Sequence, residues 1–173
     1  GVSPKNLAVS TIGDELRYGT NNASRVFAVS GKDRGAILPA GKSGTAYMYS
    51  TRTGRFTSTS YYMPRHPAWW ETFYAAKPQD AWFHKRWDPL LDAQAYARSL
   101  PDGQSWSTSY RKLPTRMGIV YGLGETAPGP FYYSTLLVGP YGDDATADFS
   151  IELLKQEKLG RNPTGAPDLL AVS

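Results

Sequence analysis

Cysteine is absent from the 173 residues, which excludes disulfides and thiolate metal sites but leaves the compartment open. No stretch approaches the ~18 apolar residues of a membrane span. The chain opens Gly1-Val2-Ser3-Pro4, without Met and without an apolar leader, so a processed chain or an excerpt from a longer one is expected. Histidine is scarce. His66 and His84 have no partner at a neighbouring helical position, do not make a metal site, and read as surface or partly packed residues. Dense Lys/Arg clusters, internal repeats and low-complexity tracts are also missing. The net charge of +4 is therefore spread out; it fits an anionic substrate and carries no nucleic-acid signature.

What is present suits a packed core. Hydrophobic residues make up 40% and charged residues 20%, in a length that suits one domain or one domain-sized piece. Gly (17) and Pro (13) are frequent enough to predict many turns. Ser3-Pro4 followed by Leu7, Thr11, Ile12 and Leu16 predicts a capped helix that Asn21-Asn22 ends. Residues 25–30 form a continuous apolar run, the mark of a strand covered on both faces. A polar loop, Gly31-Lys32-Asp33-Arg34-Gly35, follows it. Residues 45–49 and 56–62 alternate around Gly54 and predict a hairpin. Residues 67–76 suit a helix, residues 77–142 short elements and long loops, and Asp143–Leu159 a helix stopped by Gly160. Residues 168–173 are a second buried-type strand. Helix, strand, long excursion, helix, strand is α/β logic, and sites on such sheets form at the carboxyl ends of parallel strands.

Several motifs invite chemistry. Ala36 to Ser43 loosely matches a phosphate-binding loop ending in Lys42-Ser43. That reading needs a strand before it and a helix starting at the Lys-Ser pair, whereas Gly44–Ser50 reads as strand and Pro39 removes a donor. Asp143, Asp144 and Asp148 could hold a hard cation, but acids at a helix start are explained by the helix dipole. Asp14-Glu15 and Asp88 with Asp92 are equally ordinary. Trp69-Trp70 and Tyr61-Tyr62 could stack a sugar or base, though core packing is the more common use. Lys32 and Arg34 fit a solvated turn or, alternatively, an oxyanion clamp. Arg offers a bidentate fork and Lys a point charge, and on an extended backbone the i, i+2 spacing would put both on one face.

Ser30-Gly31-Lys32-Asp33-Arg34-Gly35-Ala36-Ile37-Leu38-Pro39-Ala40-Gly41 resembles a segment of the bacterial zinc alkaline phosphatases that use a threonine nucleophile, in the superfamily shared with type I phosphodiesterases and nucleotide pyrophosphatases. Ser10-Thr11-Ile12-Gly13-Asp14-Glu15-Leu16, Ser58-Thr59-Ser60-Tyr61-Tyr62-Met63, Gly139-Pro140-Tyr141-Gly142 and Asp168 to Ser173 extend the resemblance over nearly the whole chain. Lys42-Ser43 stands where relatives often have His, and Ser50 where Asp is common.

The resemblance implies an α/β fold: a portion of an alkaline-phosphatase-like sheet flanked by helices, with a loop-rich insertion containing a β-hairpin. The chain would be an internal fragment of one catalytic domain, with core elements at about 1–40 and 143–173 and an insertion or cap-like region at about 41–142. The parent would hydrolyse phosphate monoesters at two zinc ions in the periplasm or outside the cell. Its nucleophile would lie upstream of Gly1, and its Asp and His zinc ligands on both sides of this chain. Lys32 and Arg34 would contact the nonbridging phosphoryl oxygens, and the chain alone would be inactive without the remainder of the polypeptide. The alternative is a non-catalytic binding module with an aromatic-rich ligand surface.

Overall fold

The computed structural model describes residues 2–109 and 113–173. The chain runs through α1 (Ile12–Gly19), β1 (Val26–Ser30), α2 (Asp33–Ala40), β2 (Thr45–Ser50), β3 (Arg55–Thr57), α3 (Ala68–Ala75), β4 (Arg86–Trp87), β5 (Ile119–Val120), α4 (Pro130–Leu136), α5 (Pro140–Gln156) and β6 (Leu169–Val172). Four strands form one sheet in the order β3-β2-β1-β6. β1 is central and parallel to both neighbours, with Phe27 opposite Thr45 on one side and Leu170 on the other. The two apolar runs read as covered parallel strands are therefore adjacent, but only β1 is largely buried; Leu169, Leu170 and Ala171 of β6 are half-buried and Val172 is exposed. β3 returns antiparallel to β2, so the expected hairpin extends this sheet.

Strand alternation sends neighbouring side chains to opposite faces. On one face Val29, Tyr47, Tyr49 and Phe56 pack with Trp70 and Tyr74 of α3 and with Phe149 and Leu153 of α5. On the other, Ala28, Ala46 and Met48 meet Ala36, Ile37 and Ala40 of α2. Phe149 is fully buried, with ring centroids 5.1 Å from Phe56 and 5.2 Å from Tyr47. The small Ala residues on the α2 side let that helix approach the sheet closely, while the aromatic side fills a deeper layer. A second small sheet, β4 with β5, and α4 enclose a separate cluster around Tyr121, Tyr132 and Leu136.

Four boundaries differ from the sequence expectation. Pro4–Asn6 is a short 3-10 turn, and α1 begins only at Ile12, where Asp14 Oδ2 accepts the Thr11 amide. The loop expected after β1 is the start of α2. Burial of Ala36, Ile37 and Ala40 against the sheet outweighs the poor helix propensity of Gly35 and Pro39. β3 stops at Thr57 because the Ser58 amide turns away to His66 Nε2 (3.1 Å), while Ser58 Oγ donates to the Ala46 carbonyl (2.7 Å). α5 starts three residues before Asp143, with Pro140 at its first position, and ends at Gln156, ahead of Lys158 at φ 50°. The stretch at 77–142 is made of short elements and long loops among its described residues; residues 110–112 lie outside them.

Candidate active site

Lys32 is the first residue beyond the Gly31 that ends the turn out of β1. Its backbone is still extended (φ −122°, ψ 142°), whereas Arg34 already lies in the first turn of α2. The two are therefore not an extended pair on one face. They flank the amino terminus of a helix, and both are exposed. The turn is fastened to the neighbouring strand segment: the Gly31 amide donates to the Ser173 carbonyl (3.2 Å), and the Ser173 amide donates to Val29 (3.0 Å). Ser30 Oγ accepts the Lys32 amide at 3.0 Å, and Asp33 Oδ1 accepts the Arg34 amide at 2.7 Å.

These residues border a cleft of about 350 Å³ at the carboxyl edge of β1 and β6. Ser30, Lys32 and Arg34 line one wall, and Leu137, Asp143 and Thr146 line the other. Asp143 and Thr146 belong to the first turns of α5 and Leu137 to the end of α4, so the amino termini of α2 and α5 border one cavity. Two cations, helix amino termini and a strand edge make a setting suited to an anion. Among the described residues, neither Lys32 nor Arg34 takes part in an ion pair.

The Lys42-Ser43 pair does something else. Asp14, fully buried, accepts the Lys42 amide (2.9 Å), the Ser43 amide (2.8 Å) and Ser43 Oγ (2.7 Å), besides the Thr11 amide (3.1 Å). Burial pushes this carboxyl up, but the hydrogen bonds from Ser43, Lys42 and Thr11 outweigh it and hold it below the ordinary carboxylate range. The backbone donors that a phosphate loop would offer a ligand are taken by an internal carboxylate. The order is also reversed, since α2 precedes the pair and β2 follows it. Asp14 read as an ordinary helix-start acid in the sequence. The one local signal of its role was the Thr11-x-x-Asp14 spacing of a capping box.

The remaining candidates are structural. His66 Nε2 accepts the Ser58 amide, and its ring lies 4.2 Å from that of Trp70. Burial pushes its pKa down, against a smaller upward pull from Glu71. His84 is exposed and stacks on Phe83. Trp70 Nε1 donates to the Phe56 carbonyl and Trp69 Nε1 to Glu157, so both indoles are tied into the aromatic core. Tyr62 caps the Gly41 carbonyl. Asp143, Asp144 and Asp148 are exposed on the first turns of α5. Among the described residues, no three His, Cys, Asp or Glu side chains come close enough to share a metal ion.

Sequence and fold similarity make this chain an alkaline-phosphatase-like α/β unit. Over 99% of its length the chain is 36% identical to alkaline phosphatase PhoV of Synechococcus elongatus, and it covers 30% of that protein. At the same identity it matches 31% of a Myroides odoratus protein named calcium-transporting ATPase. The crystal structure of alkaline phosphatase PafA superposes on 98% of this chain with a TM-score of 0.79 and 27% identity, using 32% of that chain. A solved variant of PafA, in which one Thr is replaced by Ser and an Asn, a Lys and an Arg by Ala, gives a TM-score of 0.82. The chain spans about a third of the length of the relatives it matches. No protein-family model matches it.

Proposed function

We propose that this chain is part of one catalytic domain of a metal-dependent phosphatase acting on phosphate monoesters, and that Lys32 and Arg34 are its phosphate clamp. The observation that carries the reading is the position of the two exposed cations, at the carboxyl edge of the parallel strands and beside a cleft bordered by two helix amino termini. A monoester dianion presents three nonbridging oxygens. A guanidinium fork and an ammonium opposite them stabilise charge that is present on the substrate and persists in the transition state. In the PafA variant the replaced Lys and Arg stand two positions apart, the spacing of Lys32 and Arg34.

On this reading the nucleophile and the ligands of two zinc ions come from other parts of the full-length enzyme, which works in the periplasm or outside the cell. This chain contributes electrostatics and orientation and no activated nucleophile. The isolated chain is then expected to retain no stoichiometric zinc after dialysis and to hydrolyse no aryl phosphate.

The test is kcat/KM of the full-length enzyme on an aryl monoester, for wild type, Lys32→Ala and Arg34→Ala. Each replacement removes a charge-assisted hydrogen bond of about 1.5–3 kcal/mol, so losses of roughly 10- to 100-fold are expected. Unchanged values would return both residues to a solvated turn. Hydrolysis of ATP with no turnover of simple aryl monoesters would favour the name borne by the Myroides relative.

A further inference from the structure

Ser30 closes β1 and is only 2% exposed, yet it is a polar residue in a strand otherwise buried by apolar ones. Its Oγ accepts the Lys32 amide at 3.0 Å. The same Oγ lies where a Cβ on residue 35 would sit: an Ala at Gly35 would bring that carbon within 2.3 Å of Ser30 Oγ and 3.0 Å of Ser30 Cβ. Gly35 is not at positive φ, so its lack of a side chain serves this close approach and not a left-handed turn. One buried hydroxyl therefore touches the backbone just before Asp33 and just after Arg34. It hydrogen-bonds one end of the segment that carries the two cations and packs closely against the other.

We propose that Ser30 is a positioning residue for the clamp, seating the first turn of α2 so that Lys32 and Arg34 face the cleft together, with Gly35 as its required counterpart. The proposal rests on the assignment of Lys32 and Arg34 to phosphate binding. Alanine at position 30 leaves the Lys32 amide without its acceptor, and threonine adds a methyl group beside the packed Gly35. Serine alone of the three supplies the oxygen within the space available. Ser30 need not touch the substrate; it acts through the backbone of the residues that do.

A double-mutant cycle in the full-length enzyme tests this, read as kcat/KM on an aryl monoester and as the inhibition constant of inorganic phosphate. Circular dichroism checks that each variant is folded. Ser30→Ala is expected to lower kcat/KM and weaken phosphate inhibition by roughly 3- to 10-fold, the effect of one lost hydrogen bond. In a Lys32→Ala, Arg34→Ala background the same change should alter neither value by more than about twofold, because nothing remains to be positioned. Gly35→Ala should be less harmful in the Ser30→Ala background than in wild type, since the 2.3 Å collision then disappears. An equal loss from Ser30→Ala in both backgrounds would overturn the proposal, as would no loss in either. If Lys32→Ala and Arg34→Ala are themselves silent, the clamp assignment fails instead, and the two failures are distinguished by those single variants.

Discussion

Asp168 holds Arg25 by its backbone and its side chain at once. Asp168 Oδ1 accepts the Arg25 amide at 3.0 Å and Nε at 3.1 Å, and Oδ2 accepts Nη2 at 2.5 Å. The same carboxylate accepts the Gly160 amide and Asn162 Nδ2, while Arg25 also donates to the carbonyls of Glu157 and Lys158. The pair thus pins the starts of β1 and β6 to the chain leaving α5. The Arg25 guanidinium, aided by the Arg25 and Gly160 amides and by Asn162, holds the Asp168 carboxyl far below the ordinary carboxylate range.

Asp168→Asn is expected to lower the thermal midpoint by several degrees near neutral pH. A depressed folded pKa gives stability that is complete above the unfolded carboxylate value, near pH 4, and is lost as pH falls through the folded value. The gap between wild type and Asp168→Asn should therefore be constant from about pH 5 to 8 and close only in strong acid. Thermal melts across that range check it. A gap that narrows already at pH 6 would show that another group is responsible.

Ser43→Ala removes one charged hydrogen bond from buried Asp14 while leaving the two turn amides in place. A loss of about 1.5–3 kcal/mol in urea unfolding is expected, with the Asp14 carboxyl titrating closer to its usual value. Asp14→Asn should cost more, because an amide offers one acceptor atom where the carboxylate uses both oxygens. Equal costs for the two variants would mean that Ser43 accounts for the whole effect.

His66 should titrate below its ordinary value near 6.5, because burial disfavours the charged ring; its Nε2 also accepts the Ser58 amide. The sign follows from that depression: the contribution to stability is full above about pH 6.5 and is lost as pH falls through the folded value. Imidazole proton shifts in NMR measure the midpoint directly. A midpoint above 6.5 would show that the upward pull of Glu71 wins over burial.

Selectivity gives a separate check on the clamp. A methyl aryl diester has one charge and two nonbridging oxygens, so cations at Lys32 and Arg34 assist it less than a monoester dianion. Lys32→Ala and Arg34→Ala should each lower the monoester-to-diester ratio of kcat/KM, with the double variant lowest but short of additive if both side chains meet one oxygen. Parallel losses on both substrates would mean that the residues only hold the turn in shape.

Local pattern alone determined much of this protein. The continuous apolar runs around Val29 and Leu170, the Tyr-rich alternation about Gly54, the helix behind Pro67 and the helix ending before Gly160 all follow from short-range sequence. The Lys32 and Arg34 cations were legible as residue types beside a buried strand. The backbone that presents them was not: a segment holding Gly35 and Pro39 reads as loop, and it becomes α2 only because Ala36, Ile37 and Ala40 find the sheet to bury against. Tertiary structure alone brought Asp14 to the Lys42-Ser43 turn, Asp168 to Arg25 and the start of α5 to the far wall of the cleft. The reason is range. Turn chemistry and periodicity act over a few residues, whereas a buried carboxylate is satisfied by whichever donors the packed strands and helices bring within 3 Å of it, however distant in the chain.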